Sequence, residues 1–366
     1  MPDLFTPLTL RSLTIPNRVW LAPMCQYMVL AEDGVPTDWH LVHLGARAQG
    51  GFGLILTEAT AVVPEGRISP QDTGLWNDEQ RDAWRPVVDF VHSQGSTIGV
   101  QLAHAGRKGS TYRSFPGEPT GSVPEDDGGW TSVGPTTEAF PGYTDPRAMS
   151  TADLAATVAA FVDAARRADE AGFDVVEVHA AHGYLVHQFL SPLSNHRTDG
   201  YGGDFAGRTR LLLEVVDAVR TVWPAGKPLF VRISATDWAE GGWDADDSVR
   251  LSAVLKERGV DLVDVSTGGN VLADIPVGPG YQLPFSQAIR DGAHVPTGAV
   301  GLITTPQQAE EILASGTADA VLLARAALRE PSWPLRAAAE LGLTWREAPY
   351  PAPYARGKWD DVLTAA

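Results

Sequence analysis

Cysteine is almost missing: Cys25 is the only one in 366 residues. A single thiol rules out an intrachain disulfide framework, a zinc ribbon and an iron–sulfur cluster held by the chain's own thiolates. Any redox chemistry therefore needs another centre. Basic residues are outnumbered, with 28 Lys and Arg against 45 Asp and Glu, and the formal net charge of −17 repels phosphate backbones and anionic lipid heads. Neither nucleic acid nor a membrane surface is an expected partner. No apolar run approaches the roughly 18–20 residues that cross a bilayer. The opening MPDLFTPLTL has neither the basic segment nor the apolar stretch of a secretory signal, so a cytoplasmic location is expected.

With 44% hydrophobic residues the chain can bury a large core. Eight short runs recur along it: 18-RVWLAPM, 53-GLILTEAT, 97-TIGVQLAH, 175-VVEVHAA, 228-PLFVRISA, 262-LVDVSTGG, 295-VPTGAVG and 320-AVLLAR. Most are nearly continuous in apolar residues, as strands covered on both faces require. Helical patterns lie between them, clearest in 151-TADLAATVAAFVDAARRADEAGF and 204-DFAGRTRLLLEVVDAVRTVW. In the first, Leu154, Val158, Phe161, Val162 and Ala165 make an apolar face, Thr151 is the expected cap and Gly172 the expected stop. Eight strand–helix units predict an α/β fold, a (β/α)8 TIM barrel spanning residues 1–366 as one domain. The rival is an open doubly wound sheet, but no G-x-G-x-x-G turn follows the first strand.

Residues 110–150, after the third strand, are rich in Gly, Pro, Ser and Thr without a sustained period. They predict a long irregular loop, either a lid on the active face or a surface insertion.

A barrel gathers the carboxyl ends of its strands, so Cys25, Glu58, Gln101, His179, His182 and Arg232 are candidates to converge. The stretch 179-HAAHGY is open to three readings. His179 and His182 could ligate a metal with His104 or His187 as a third nitrogen, could be satisfied inside a polar loop, or could donate to a substrate oxygen. No carboxylate accompanies them at a ligand spacing, so no metal is expected. At the seventh and eighth strands, 297-TGAVG and Ala324–Arg325 occupy the places where barrels bind phosphate.

Together these fragments resemble the Old Yellow Enzyme family of flavin-dependent ene-reductases, in particular its thermophilic-like branch. The matching stretches are 22-APMCQY, 58-EA, 101-QLAHAGRK, 179-HAAHGYLVHQFLSPLSNHRTDGYGG, 231-VRIS, 278-GPGYQ, 297-TGAVG and 353-PYARG. The resemblance implies noncovalent FMN, with NADPH or NADH as hydride donor and an electron-poor alkene as substrate. It assigns Ala22, Pro23, Met24, Cys25 and Ala59 to the flavin ring, Gln101 and Arg232 to its pyrimidine edge, and Gly301, Ala324 and Arg325 to its phosphate. His179 and His182 match the pair that holds a substrate carbonyl, Tyr184 the proton donor, Tyr27 a second phenol, and Cys25 a thiol that tunes the flavin. Arg356, in a C-terminal tail over 345–366, matches an arginine that enters a neighbouring subunit's site, so a homodimer or homotetramer is expected. Arg107 and Arg113 are candidates for the extra phosphate of NADPH.

The chain departs from the family at Ala324, where glycine is usual, and at Gly207, where asparagine is common and a loop contact is at stake. Lys358 is an addition in the tail, and the 110–150 loop is longer than in compact members.

Overall fold

The computed structural model describes residues 3–359. The part of the expected tail over 360–366 lies outside them. Among the described residues twelve strands occur in order: β1 (Leu8–Leu10), β2 (Leu13–Ile15), β3 (Val19–Leu21), β4 (Leu54–Ala61), β5 (Thr97–Ala103), β6 (Val133–Gly134), β7 (Arg147–Ala148), β8 (Val175–Ala180), β9 (Leu229–Ser234), β10 (Leu262–Ser266), β11 (Thr297–Ala299) and β12 (Ala320–Leu323). Eight of them, β3, β4, β5 and β8 to β12, form a closed barrel of parallel neighbours in which β12 pairs with β3. Each coincides with one of the eight apolar runs, and the expected (β/α)8 TIM barrel is what forms.

The helices are α1 (Asp38–Gln49), α2 (Asp78–Ser93), α3 (Thr151–Ala171), α4 (Leu185–Leu190), α5 (Phe205–Arg220), α6 (Ala245–Glu257), α7 (Leu283–Ala293), α8 (Pro306–Ala314), α9 (Arg325–Arg329) and α10 (Trp333–Glu340). In α3 the cap is Ser150, not Thr151: Ser150 is extended, and its hydroxyl accepts from the Asp153 amide while Asp153 accepts from the Ser150 amide at 2.7 Å. Thr151 is already inside the first turn. Gly172 ends the helix as expected, at φ 97°, where a side chain would be strained. Leu154, Phe161 and Ala165 are buried as read, while Val158 and Val162 are half-buried and the stripe is completed by Thr157, Ala164 and Ala168. Small residues let this helix approach the barrel closely.

The β1–β2 hairpin closes one end. Its Leu10 and Ile15 pack with Leu54, Val175, Phe230, Leu262 and Ala320, which stand at or near the starts of their strands, and Trp20 stacks on Phe230 at 5.9 Å. With the amino end plugged by apolar side chains, polar groups have the carboxyl end as their outlet. Over that end runs the 110–150 segment. It is mostly irregular, with a parallel β6–β7 bridge, but it is packed: Phe115 meets Tyr27 edge-on at 6.0 Å, and Trp130 stacks against the Arg67 guanidinium at 4.9 Å.

Candidate active site

The carboxyl ends of the barrel strands build the mouth. After β8 the chain turns through His182 at φ 58° and Gly183 at φ 74°. A Cβ on Gly183 would stand 2.1 Å from the Gly269 carbonyl oxygen, so only glycine fits there. This turn swings His182 back toward His179: their rings are 5.2 Å apart and perpendicular, and Tyr184 lies 5.1 Å from His179 in the same relation. The His182 amide donates to Ser234 Oγ at 2.9 Å, and Lys108 Nζ donates to the His182 and Gly269 carbonyls at 2.8 and 2.9 Å. Lys108 also sits over the Tyr184 ring at 5.1 Å and the Phe140 ring at 4.7 Å.

Burial, reinforced by the Arg232 charge, holds both imidazoles well below the usual histidine range, so they are neutral donors. His179 Nδ1 accepts from the Ala181 amide at 3.2 Å, which leaves Nε2 as its donor. Burial above all pushes the Tyr184 phenol up, and its hydroxyl makes no hydrogen bond among the described residues. It is a protonated group with a free proton. The Cys25 thiol is likewise pushed up by burial, Asp72 and Glu58, against a hydrogen bond with Tyr27 that lowers it. Cys25, Tyr27 and Tyr184 pack on Ala59, Ile68, Ala103 and Ala105.

Beneath this group the barrel interior is lined by buried ionisable groups. Gln101 donates to Glu177 at 2.8 Å, and Arg232 pairs with Asp264 at 2.9 Å while also donating to Ser266. The Arg232 charge also reaches Glu177, without a direct contact. Burial and Asp264 raise Glu177 from 4.5 to about 8. The folded chain therefore holds a proton that the unfolded chain releases, and stability falls as pH rises from about 4.5 to about 8. Glu177→Gln, which keeps an acceptor for Gln101, is expected to flatten that slope, so that variant and parent differ most in melting temperature at the upper end of the window. A parallel decline in both would show that Glu177 is not the group responsible.

A cavity of about 270 Å³ runs from Arg232 and His182 past Ser266, Gln282 and Gly301 to Ala324 and Arg325. Gly301 has φ 131°, and a Cβ there would press on the Gln282 side chain at 3.1 Å. Gln282 is itself fixed between Thr267 Oγ1 and the Val300 carbonyl. Ala324 has a negative φ of −105°, so a methyl group in place of the family's glycine is tolerated. Arg325, exposed at the start of α9, lines the cavity and has no protein partner among the described residues, and the first amides of α9 lack intrahelical acceptors. One guanidinium at each end of an open slot fits a ligand with an electron-rich ring and a phosphate.

The sequence pattern of the NADH:flavin oxidoreductase / NADH oxidase family matches residues 3–343. The chain belongs to that family. It is 50% identical over 342 residues to an NADPH dehydrogenase of Geobacillus sp. (strain WCH70), covering 93% of this chain and 95% of the relative. To an NADPH dehydrogenase of Bacillus subtilis (strain 168) it is 46% identical over 355 residues, covering 97% and 98%. Among solved structures, morphinone reductase in complex with tetrahydroNAD superposes with a TM-score of 0.77 at 31% identity, over 97% of this chain and 94% of that one. The old yellow enzyme homologue from Zymomonas mobilis gives 0.78 at 29%, over 97% and 98%. The family resemblance read from the motifs therefore holds. This Old Yellow Enzyme relative is an oxidoreductase that uses FMN and a nicotinamide coenzyme, and the slot with its two guanidinium ends fits FMN.

Of the expected site residues, Cys25, Tyr27, Ala59 and Tyr184 share one cluster, and His182, Arg232, Gly301, Ala324 and Arg325 line one cavity. Ala22, Pro23 and Met24 lead out of β3 beside it, with the Ala22 amide bonded to the Leu323 carbonyl. Glu58 does not face the mouth. Its oxygens accept from the Gln26 amide at 2.8 Å and lie 3.1 Å from His40 on α1, because a register shift between Leu56 and Ala59 breaks the strand's alternation. Arg356 is exposed in a 3-10 turn, Ala352–Gly357, and does not line this chain's own cavity. Arg107 is buried against the Asn270 and Glu138 carbonyls and Arg113 pairs with Glu118, so neither is free for a coenzyme phosphate. Gly207 lies in the first turn of α5, not in a loop, and a Cβ there would stand 2.1 Å from the Gly202 carbonyl oxygen. Lys108 and Asp72 had no expected role. A basic pair separated from an apolar strand by three residues, 107-RK, was the available signal for Lys108. No helix among the described residues is long and apolar enough to cross a membrane, and none of their His, Cys, Asp and Glu side chains cluster as a metal site.

Proposed function

We propose that this chain reduces the activated C=C bond of α,β-unsaturated carbonyl or nitro compounds at the expense of NADPH or NADH. The observation that carries the reading is the packing of His179, His182 and Tyr184 at the end of β8, two neutral imidazole donors beside one protonated phenol. The names of the relatives, NADPH dehydrogenase and morphinone reductase, agree with a nicotinamide donor and an enone acceptor.

Ala22, Pro23, Met24, Cys25 and Ala59 would flank the flavin ring, Gln101 and Arg232 would meet its pyrimidine edge, and Gly301, Ala324 and Arg325 would hold its phosphate. When bound, FMN carries hydride equivalents from the nicotinamide to the alkene. His179 and His182 donate to the substrate's carbonyl or nitro oxygen and withdraw electron density from the β-carbon, which makes it the hydride acceptor. Charge then builds at the α-carbon and oxygen. Tyr184 delivers its proton to the α-carbon, so that one hydride and one proton complete the saturated product. Tyr27 bounds the substrate on the side of Cys25, whose thiol stays protonated and uncharged.

Coenzyme oxidation by the FMN-loaded protein should rise many-fold when cyclohexenone is added, with one coenzyme consumed per alkene. A protein that binds FMN yet shows no alkene-dependent oxidation would be a flavin-binding barrel of another kind. We further propose a homodimer or homotetramer in which Arg356 enters the partner's site. Arg356→Ala is expected to raise the enone KM about tenfold or more, the worth of a lost charge-assisted hydrogen bond, without loss of FMN. An unchanged KM would leave the arginine in solvent.

A further inference from the structure

His187, considered above as a third metal nitrogen, has a different set of neighbours. Its Nδ1 accepts from the Gly183 amide at 2.9 Å, and its Nε2 lies 3.0 Å from Asp237 Oδ1. Both side chains are fully buried, and neither Nε2 nor Oδ1 has a partner elsewhere among the described residues. The second Asp237 oxygen accepts from Ser191 Oγ at 2.5 Å and from the Trp243 amide at 2.9 Å. Gly183 is the single residue between His182 and Tyr184. Its carbonyl is held too, by Gln188 Nε2 at 2.7 Å.

We propose that His187 and Asp237 are positioning residues for the reductase, a buried dyad that fixes the peptide joining the electrophilic His182 to the proton donor Tyr184. The proposal rests on the function proposed above. The chemistry is one of tautomers. Because the Gly183 N–H can only donate, Nδ1 must be bare, so the ring proton sits on Nε2. Asp237, an acceptor at both oxygens, secures that tautomer. With it the Gly183 amide is satisfied in a turn that already places His182 at φ 58°. Without it a buried N–H loses its acceptor, and His182 and Tyr184 lose their common register.

Asp237→Asn tests this with almost no change of shape. The Trp243 amide requires an oxygen opposite it, so the new NH2 must face His187 Nε2. The imidazole proton then moves to Nδ1 and meets the Gly183 N–H, donor against donor. The rate of the enone half-reaction and the affinity for a simple phenol, which would occupy the same two histidines, are both expected to fall about 10–100-fold, as when a group orienting a functional imidazole is removed. FMN content and the NADPH half-reaction should stay at the parent's level. Two substitutions at His187 separate the contacts. His187→Asn leaves an oxygen where Nδ1 stood and keeps the Gly183 bond, whereas His187→Gln keeps a donor to Asp237 and loses Gly183. The asparagine variant should retain more phenol affinity. The proposal fails if Asp237→Asn binds phenol and reduces enone like the parent, if both half-reactions slow equally, or if the glutamine variant is the better binder. A parent protein inert toward every enone would instead sink the proposed function, and phenol binding would still report on the turn.

Discussion

Replacing His179 and His182 together by alanine is expected to lower kcat/KM for an enone by about 10³-fold or more, since each oxyanion-type donor is worth roughly 10²–10³. The expectation follows from where the two rings stand. They are perpendicular, 5.2 Å apart, and neutral because burial and Arg232 oppose a second positive charge. Neutral donors in a buried site do not repel the arginine beneath them and need no reorganisation as charge grows on the substrate oxygen. The half-reaction with NADPH needs neither donor and should change little. Titration with a phenol gives an independent check, because the long-wavelength absorbance of a phenol over the flavin should vanish in the double variant. If that band persists with the parent's affinity, the histidines are not the clamp, and Lys108 or Tyr27 would have to supply the contact.

How much of this was legible in the chain depends on the kind of constraint. The eight strands were plain, because parallel strands buried on both faces must be almost continuously apolar, as in 53-GLILTEAT and 262-LVDVSTGG. What the alternation of a strand cannot reveal is a bulge. Glu58 read as an inward, mouth-facing acid, but the shift after Leu56 turns it to His40 and the Gln26 amide, where it supports the Cys25–Tyr27 segment from behind. Capping was misread by one residue for a similar reason: Ser150 and Thr151 carry the same chemistry, and backbone dihedrals alone decide which stands outside the helix.

Cations were the other blind spot. A sequence shows where charge is, not what it faces. Arg107 and Arg113 suggested phosphate, yet one is buried on carbonyls and the other neutralised by Glu118. Lys108, next to the first, proved to be the clamp on the His182 carbonyl. Burial, helped by Arg107, lowers its ammonium to about 8, so folding expels its proton between that value and the unfolded 10.5. Its burial cost is thus present below about pH 8 and relieved as pH rises toward 10.5. A buried cation held on two carbonyls at that cost is consistent with a positional role for Lys108 beside His182.

The second large effect is expected at Tyr184. Tyr184→Phe should slow the enone half-reaction about 10²–10⁴-fold, the usual worth of a positioned general acid, and leave the NADPH half-reaction near the parent's rate. The ring packs against His179 at 5.1 Å and under Lys108 at 5.1 Å, so phenylalanine keeps the shape and removes only the hydroxyl. That hydroxyl has no competing partner among the described residues, and burial above all keeps its proton on. A donor so far from its own pKa gives up the proton only as negative charge forms beside it, which ties its release to hydride arrival and guards against loss to solvent. Nitroalkenes offer a sharper version of the test. Their reduced anion is stable enough to leave the site unprotonated, so with Tyr184→Phe hydride uptake should persist while the nitronate is released and picks up its proton from water. An enone has no such escape. Equal slowing of both substrates, or of both half-reactions, would take the proton-donor role away from Tyr184.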